Sequence, residues 1–274
     1  SPQPRDMAVR VRDWLLRRGI RCEIRSAELD APRLRASAAA SDAVLVLGGD
    51  GTIIGVARRL AGVKTPLLGM NFGRVGFLAE LSAQNWELPL AGLLEGRWRL
   101  EKHLALRWRV LSGQSVKNEG MAINDLVTAH GVVARAVSLR LEIDGVPLST
   151  MRCDGIIVST PLGSTAYNAS AGGPLTVPSM NAQLVTPICP FGGACPPLAV
   201  PSSSLIRIAA CRTGDEVLLS IDGQENLPLS VSDVLEITGS PEELQMLVSD
   251  SSWYLRRLVE RGVVTSGPGC QTLG

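Results

Sequence analysis

Five apolar residues, Ala43 to Leu47, run straight into Gly48-Gly49-Asp50-Gly51-Thr52. Helical spacing begins directly behind them at Ile53, Ile54, Ala57, Leu60 and Ala61. No other stretch narrows the fold as sharply. An uninterrupted apolar run suits a strand buried on both faces of a parallel sheet. Glycines let the chain turn tightly after it, and a helix packed back on the sheet completes an α/β layer. Pro66-Leu67-Leu68-Gly69 reads as the next strand. Upstream, Met7, Val11, Trp14 and Leu15 share one helical face, Gly19 stops that helix, and Ile20, Cys22 and Ile24 alternate as a short strand. Residues 1–98 are therefore expected to form an α/β domain with a parallel sheet. Such a domain usually opens with a strand, yet here a helix comes first. Either a segment has been lost from the N-terminus or the first strand comes from elsewhere.

The period changes near residue 100. Val137, Leu139, Leu141 and Ile143 alternate with polar residues, and Asp144-Gly145 follows as a hairpin turn. Gly155 to Ser159, Ser204 to Ala209, Glu216 to Ile221 and Val234 to Thr238 also read as strands, with Asp222-Gly223 as a second hairpin turn. Residues 99–247 are thus expected to be β-rich, with a final helix over Ser251 to Arg261 and a frayed tail over Ser266 to Gly274.

Composition excludes several classes of function. Lys+Arg total 27 against 26 Asp+Glu, a net charge of +1, so no global field draws the chain to nucleic acid or acidic lipid. Aromatics at 4% do not furnish a stacking platform for single strands. No apolar run approaches the roughly 20 residues of a membrane helix. The six cysteines form no CxxC pair and only two histidines exist, so no zinc site is expected. Reduced thiols and a cytoplasmic location are expected.

Four segments carry chemistry. In the first, Gly49, Gly51 and Thr52 open a helix whose N–H groups and dipole favour an anion. A carboxylate there repels phosphate, so Asp50 must serve some other purpose. It could accept a proton from an attacking hydroxyl, meet a metal ion, or cap the helix. The second is Gly69-Met70-Asn71-Phe72-Gly73-Arg74-Val75-Gly76-Phe77-Leu78, on the same sheet edge as the first. There Asn71 offers a donor and an acceptor, Phe72 a surface for a flat ring, and Phe77 and Leu78 belong to the core. The third is Asn124-Asp125, which suits vicinal hydroxyls and is also ordinary turn chemistry. The fourth runs from Asp154-Gly155 through Ser159 into Leu162-Gly163-Ser164-Thr165-Ala166-Tyr167-Asn168-Ala169-Ser170-Ala171-Gly172-Gly173-Pro174. It is a strand ending in small, hydroxylated and glycine residues that leave room for a ligand.

Together these segments resemble NAD kinases of the bacterial type, from about residue 40 to residue 260. Gly48-Gly49-Asp50-Gly51 is shared with diacylglycerol and sphingosine kinases and phosphofructokinases. Gly163 to Tyr167 with Ser170 to Pro174 is specific to NAD kinases, and Asn124-Asp125 and Asp222-Gly223-Gln224 stand where that family has them. The resemblance implies a two-domain fold: a Rossmann-like α/β domain over 1–98, a β-rich dinucleotide-binding domain over 99–247, and a segment over 248–274 that returns to the first. It implies transfer of the ATP γ-phosphoryl group to the 2′-hydroxyl of the adenosine ribose of NAD.

In that family the residue matching Asp50 is the general base and the one matching Gly51 packs on the dinucleotide. Those matching Asn124 and Asp125 hold a ribose and the nicotinamide part. Residues matching Thr165, Ala166, Tyr167, Asn168, Ala169 and Ser170 line the dinucleotide site, with Tyr167 near an adenine. Arg135, Arg152, Asp154 and Gln224 fall at further contact positions, although Arg135 and Arg152 also read as surface ion-pair partners. No lysine sits in the four segments, so magnesium on the ATP phosphates is expected to neutralise their charge. The expected partners are NAD and ATP and further copies of the chain, as a homodimer or homotetramer, with no nucleic acid and no membrane. Two residues depart from the pattern: Phe191 stands where many members have His, and Leu162 where Thr is usual. A non-catalytic dinucleotide-binding protein, or a lipid kinase sharing the first loop, are the alternatives.

Overall fold

The computed structural model describes residues 4–72, 76–131, 135–193, 195–212 and 216–264. In chain order it runs α1 (Pro4–Leu16), α2 (Ala31–Ala39), β1 (Val44–Leu47), α3 (Asp50–Arg59), β2 (Leu67–Asn71), β3 (Ala79–Ser82), α4 (Glu87–Leu94) and β4 (Arg99–His103). Strands β5 (Leu106–Ser112), β6 (Ser115–Ala122), β7 (Asp125–His130), β8 (Val137–Ile143), β9 (Val146–Cys153) and β10 (Gly155–Ser159) follow, then the short α5 (Tyr167–Ser170). The remainder is β11 (Ala182–Ile188), β12 (Leu198–Pro201), β13 (Ile206–Ala210), β14 (Val217–Ile221), β15 (Glu225–Leu229), β16 (Asp233–Gly239), β17 (Leu244–Val248) and α6 (Trp253–Glu260). Two compact units result: Ser1–Val56 with Thr65–Glu101 and Gln245–Gly274, and Ala57–Lys64 with Lys102–Leu244.

The first unit is an α/β layer. β1, β3 and β17 each pair with β2 in parallel, and β4 lies beyond β17. β2 is buried at every position, as its apolar sequence requires. α1 turns Met7, Val11 and Trp14 onto Leu68, Met70, Leu81, Trp86 and Leu90. Trp14 meets Trp86 edge-on, with ring centroids 5.5 Å apart, the arrangement that suits two ring quadrupoles. α2 starts where the Asp30 side chain accepts the Arg33 N–H at 3.0 Å, satisfying one free donor of the first turn.

Residues 20–24, expected as a strand, are not one. The Ile20 N–H bonds back to Leu15 at 3.1 Å, and no described strand lies alongside. An apolar alternation without a partner has no ladder in which to satisfy its backbone. The expected frayed tail, Ser266 to Gly274, and Gly73-Arg74-Val75 lie outside the described residues.

The second unit holds two antiparallel sheets, ordered β12-β11-β10-β7-β14-β15 and β6-β5-β16-β13-β8-β9 among the described residues. Alternate residues of both sheets meet in one core, including Trp108, Leu139, Leu141, Ile156, Val158, Ile208, Leu219 and Leu235. Both Asp-Gly turns form as expected. Asp144 and Gly145, between the paired Ile143 and Val146, have φ of 51° and 80°, the positive pair that a two-residue hairpin of matching twist demands; Asp222 and Gly223 have 51° and 63° and lie with Gln224 between the paired Ile221 and Glu225. Four of the five tryptophans, Trp14, Trp86, Trp108 and Trp253, are buried, in keeping with a core role.

Candidate active site

In the first unit, Gly49, Asp50, Gly51 and Thr52 form the junction between β1 and α3. The Gly49 carbonyl accepts from Thr52 and Ile53, at 2.9 and 3.1 Å, and so starts the helix. Gly51 and Thr52 are exposed and Asp50 is half-buried. The Asp50 carboxylate does not cap its own helix. Oδ2 accepts the Phe77 N–H at 2.7 Å and Oδ1 the Leu78 N–H at 3.1 Å. This joins the first predicted loop to the second. The approach is close enough that a Cβ on Gly76 would sit 1.9 Å from Asp50 Oδ1, so a side chain there would displace the carboxylate. A carboxylate has about four lone-pair directions, and two remain after both amides are served. Asn71 is buried at the end of β2. Phe72 is half-buried against the α1 and α4 core, Leu78 is buried, and Phe77 is half-buried.

In the second unit the structure brings Asn124, Asp125 and Ser159 together with the turn that follows β10. Asp125 opposes Ser159 in the β7–β10 ladder. The Thr160 N–H donates to the Asn124 carbonyl at 2.8 Å and the Thr160 hydroxyl to the Ile123 carbonyl at 2.7 Å. The same hydroxyl accepts the Gly163 N–H at 2.9 Å. A Cβ on Gly163 would lie 2.2 Å from the Asn124 carbonyl oxygen, so this loop too presses backbone on backbone. The Asp125 carboxyl is buried and takes the Tyr167 N–H, while the Tyr167 ring is exposed. Thr165, Ala166 and Ala169 are half-buried and Ser170 is exposed.

Ser159 and Asn168 are fully buried. The Ser159 hydroxyl donates to the Asn124 and Thr160 carbonyls, at 3.1 and 2.9 Å. The Asn168 amide donates to the Ser164 and Pro174 carbonyls, at 3.2 and 3.0 Å, and accepts the Thr186 hydroxyl at 2.7 Å. Both side chains brace the loop from within.

Arg152 and Asp154 lie at the other end of β10. Gly155 pairs with Ala129 and Ser159 with Asp125, so the two ends of β10 stand four residues apart, about 13 Å at the usual rise of a strand, with Asp154 just before the far end and Arg152 in β9. Arg152, Asp154 and Arg135 are exposed. Cys153 between the first two is buried, and burial pushes its thiol up to about 11, which keeps it unreactive at neutral pH. Gln224 is exposed beside the β14–β15 turn. Phe191, the departure from the family pattern, is 83% exposed.

The sequence places Asp222 in a hairpin turn and in the family's Asp-Gly-Gln motif but gives its carboxylate no task. Its carboxylate is buried and accepts the N–H groups of Ile123, Asn124 and Asp125. Burial, then the charge of Asp222, pushes the Asp125 carboxyl up to about 7, against the Tyr167 N–H. Burial also raises Asp222, against its three N–H donors and Arg58. An Asp-Gly dipeptide that already explains a hairpin gives no local sign that its carboxylate reaches a strand about one hundred residues away. Among the described residues no group of three or more His, Cys, Asp or Glu is placed to hold a metal ion, and no helix is long and apolar enough to cross a membrane.

The chain matches two family models in order: the ATP-NAD kinase N-terminal domain over residues 30–98 and the ATP-NAD kinase C-terminal domain over residues 123–249. A curated NAD kinase of Nitratidesulfovibrio vulgaris strain DP4 is 44% identical over 263 residues, which cover 96% of this chain and 88% of that protein. Two solved structures share the fold. An NAD kinase from Archaeoglobus fulgidus in complex with ATP superposes with a TM-score of 0.76 at 26% identity, covering 94% of this chain and 95% of that one. Yeast NADH kinase complexed with NADH gives 0.74 at 28% identity, covering 84% and 69%. With both domain models matched in sequence order and 44% identity sustained along 96% of its length, the chain belongs to the NAD kinase family.

Proposed function

We propose that this chain transfers the γ-phosphoryl group of ATP to the 2′-hydroxyl of the adenosine ribose of NAD, releasing NADP and ADP. The hydroxyl oxygen forms a bond to the γ-phosphorus as the bond from that phosphorus to the bridging oxygen of ADP breaks. The hydroxyl proton passes to Asp50. The observation that carries this reading is the Asp50 carboxylate. It stands where a glycine loop opens a helix, is fixed by the Phe77 and Leu78 amides, and keeps lone pairs for a proton. A bare phosphate cradle has no use for that negative charge. Base assistance is typically worth about 10² to 10⁴ in rate; the rest comes from orientation and from neutralising the triphosphate. Magnesium entering with ATP would neutralise the charge on its phosphates.

Nucleotide contacts are assigned to Gly49, Gly51, Thr52, Asn71, Phe72, Asn124, Asp125, Thr165, Ala166, Tyr167, Ala169, Ser170 and Gln224. The exposed Tyr167 ring suits an adenine face. Ser159 and Asn168 serve by bracing the loop. Arg135, Arg152 and Asp154 are assigned to the dinucleotide as well.

Free thiols at Cys22, Cys153, Cys189, Cys195 and Cys211 support a cytoplasmic location. Val146 and Leu148, exposed on the edge strand β9, support association of copies as a homodimer or homotetramer.

The test is NADP formation by the purified protein with NAD, ATP and magnesium, beside Asp50→Asn. The parent is expected to turn over. The variant is expected to lose about 10² or more in kcat while still binding nucleotide. A folded parent that binds NAD without turnover would overturn the kinase reading. An active Asp50→Asn would remove Asp50 as base.

A further inference from the structure

The Asp222 carboxylate takes no part in the phosphoryl transfer, yet it is among the most committed polar groups of the second unit. It sits in a hairpin turn, where an aspartate usually faces water. Here its side chain is 0% exposed. Oδ1 accepts the N–H groups of Ile123, Asn124 and Asp125, at 3.0, 2.7 and 3.2 Å, and Oδ2 shares the Ile123 N–H at 3.1 Å. The Asp222 N–H in turn donates to the Asp125 carbonyl at 2.9 Å. Three successive amides converging on one carboxylate fix the path of the backbone at the entry to β7.

The carboxylate is itself held. Arg58 Nη1 lies 3.5 Å from Oδ2 and donates to the Ile221 carbonyl at 3.2 Å, while Nη2 donates to Glu225 Oε1 at 2.6 Å. Arg58 thus grips the hairpin on both sides of Asp222, with only 13% of its side chain exposed. Amide donors stabilise an ionised carboxylate, and Arg58 adds a positive charge beside it. Among the described residues the Asp125 carboxyl receives the Tyr167 amide, whereas the Asp222 carboxylate receives three amides with a guanidinium beside it.

We propose that Asp222, held by Arg58, is the positioning residue for the Asn124–Asp125 pair, fixing that pair in the shape that receives the dinucleotide. The proposal rests on the assignment of Asn124 and Asp125 to NAD binding. It predicts an effect on NAD that ATP does not share, because the three amides belong to the NAD-binding pair and the residue before it.

The test is steady-state kinetics of the full chain as Asp222→Asn, Asp222→Ala, Arg58→Met, Asn124→Ala and Asp125→Asn, with NAD and ATP varied separately. Asp222→Asn keeps one oxygen acceptor and tolerates the positive φ. It is expected to raise the KM for NAD by about tenfold, with Asp222→Ala worse and Arg58→Met similar. The KM for ATP is expected to stay within about twofold and kcat within about threefold. If Asp222→Ala fails to fold, Asp222→Asn and Arg58→Met still decide the matter. An unchanged KM for NAD in both, or equal rises for NAD and ATP, overturns the positioning role. If Asn124→Ala and Asp125→Asn leave the NAD KM unchanged, the binding assignment falls and takes the positioning role with it. If those two raise it while Asp222→Asn does not, only the positioning role falls.

Discussion

Asp125 shows most directly what burial does to a single residue. Burial and the neighbouring Asp222 raise its carboxyl to about 7, whereas in the unfolded chain it ionises near pH 4, at about 3.9. Between those values the folded protein holds a proton that the unfolded chain has lost. The contribution of this group to stability is therefore complete below about pH 4 and is lost as pH rises through about 7. Asp125→Asn is neutral at every pH and has no such loss. The melting temperature of the parent relative to Asp125→Asn is expected to fall from pH 5 to pH 8, as measured by calorimetry at matched ionic strength. A constant difference would show that Asp125 is ionised throughout.

Asp50 was legible in the sequence because a carboxylate in a glycine loop before a helix contradicts simple phosphate binding. Its hold on the Phe77 and Leu78 amides was not, because nothing local says where a loop 27 residues later will pass. The same holds for Gly76, whose lack of a side chain matters only because the Asp50 carboxylate lies against it.

At the scale of elements, the run from Leu162 to Pro174 was legible as a close-turning loop from its glycines and its small and hydroxylated residues. Which of them face inward was not. Asn168 spends its amide on Ser164, Pro174 and Thr186 and is fully buried, whereas the neighbouring Tyr167 ring is exposed. Asn168→Ala is expected to destabilise the protein by roughly 1–3 kcal/mol, since it strands buried polar partners. Urea unfolding checks this, and a loss of NAD affinity is expected to accompany it because the loop loses its brace. Unchanged stability would mean that water replaces the amide. Among the strands, β8 was read from strict alternation and appears with alternate residues buried. The alternation at Ile20 to Ile24 failed for want of a neighbour, since period 2 specifies a face and says nothing of a partner.

The whole molecule depends on distant parts of the chain that meet in space. The first unit draws its last strand and helix from Gln245 onward. β17 lies between β2 and β4 in the sheet, and Trp253, Tyr254 and Leu258 of α6 are buried. The Trp253 indole donates to Glu101 at 2.9 Å, and Arg257 to the Ala79 carbonyl at 2.7 Å. A chain ending at Leu244 is expected to lose protease resistance across the first unit while the β-rich unit, whose core is drawn from residues 106 to 237, stays protected. Limited proteolysis followed by mass spectrometry reads this out. Equal protection in both chains would show that the last segment is dispensable.

The order of residues alone was enough to specify the glycine loops, the change of period near residue 100, the two Asp-Gly hairpins and a carboxylate set inside the first of those loops. Each of these is local: a pattern of side chains over a few positions sets backbone preference and face. Folding in three dimensions was needed before Asp222 could reach the amides of residues 123 to 125, from which it is 97 to 99 positions distant in the chain, and before Asp125 could be buried beside it. Desolvation and charge coupling depend on distance in space and on exclusion of water, and neither is written in the spacing of residues along the chain.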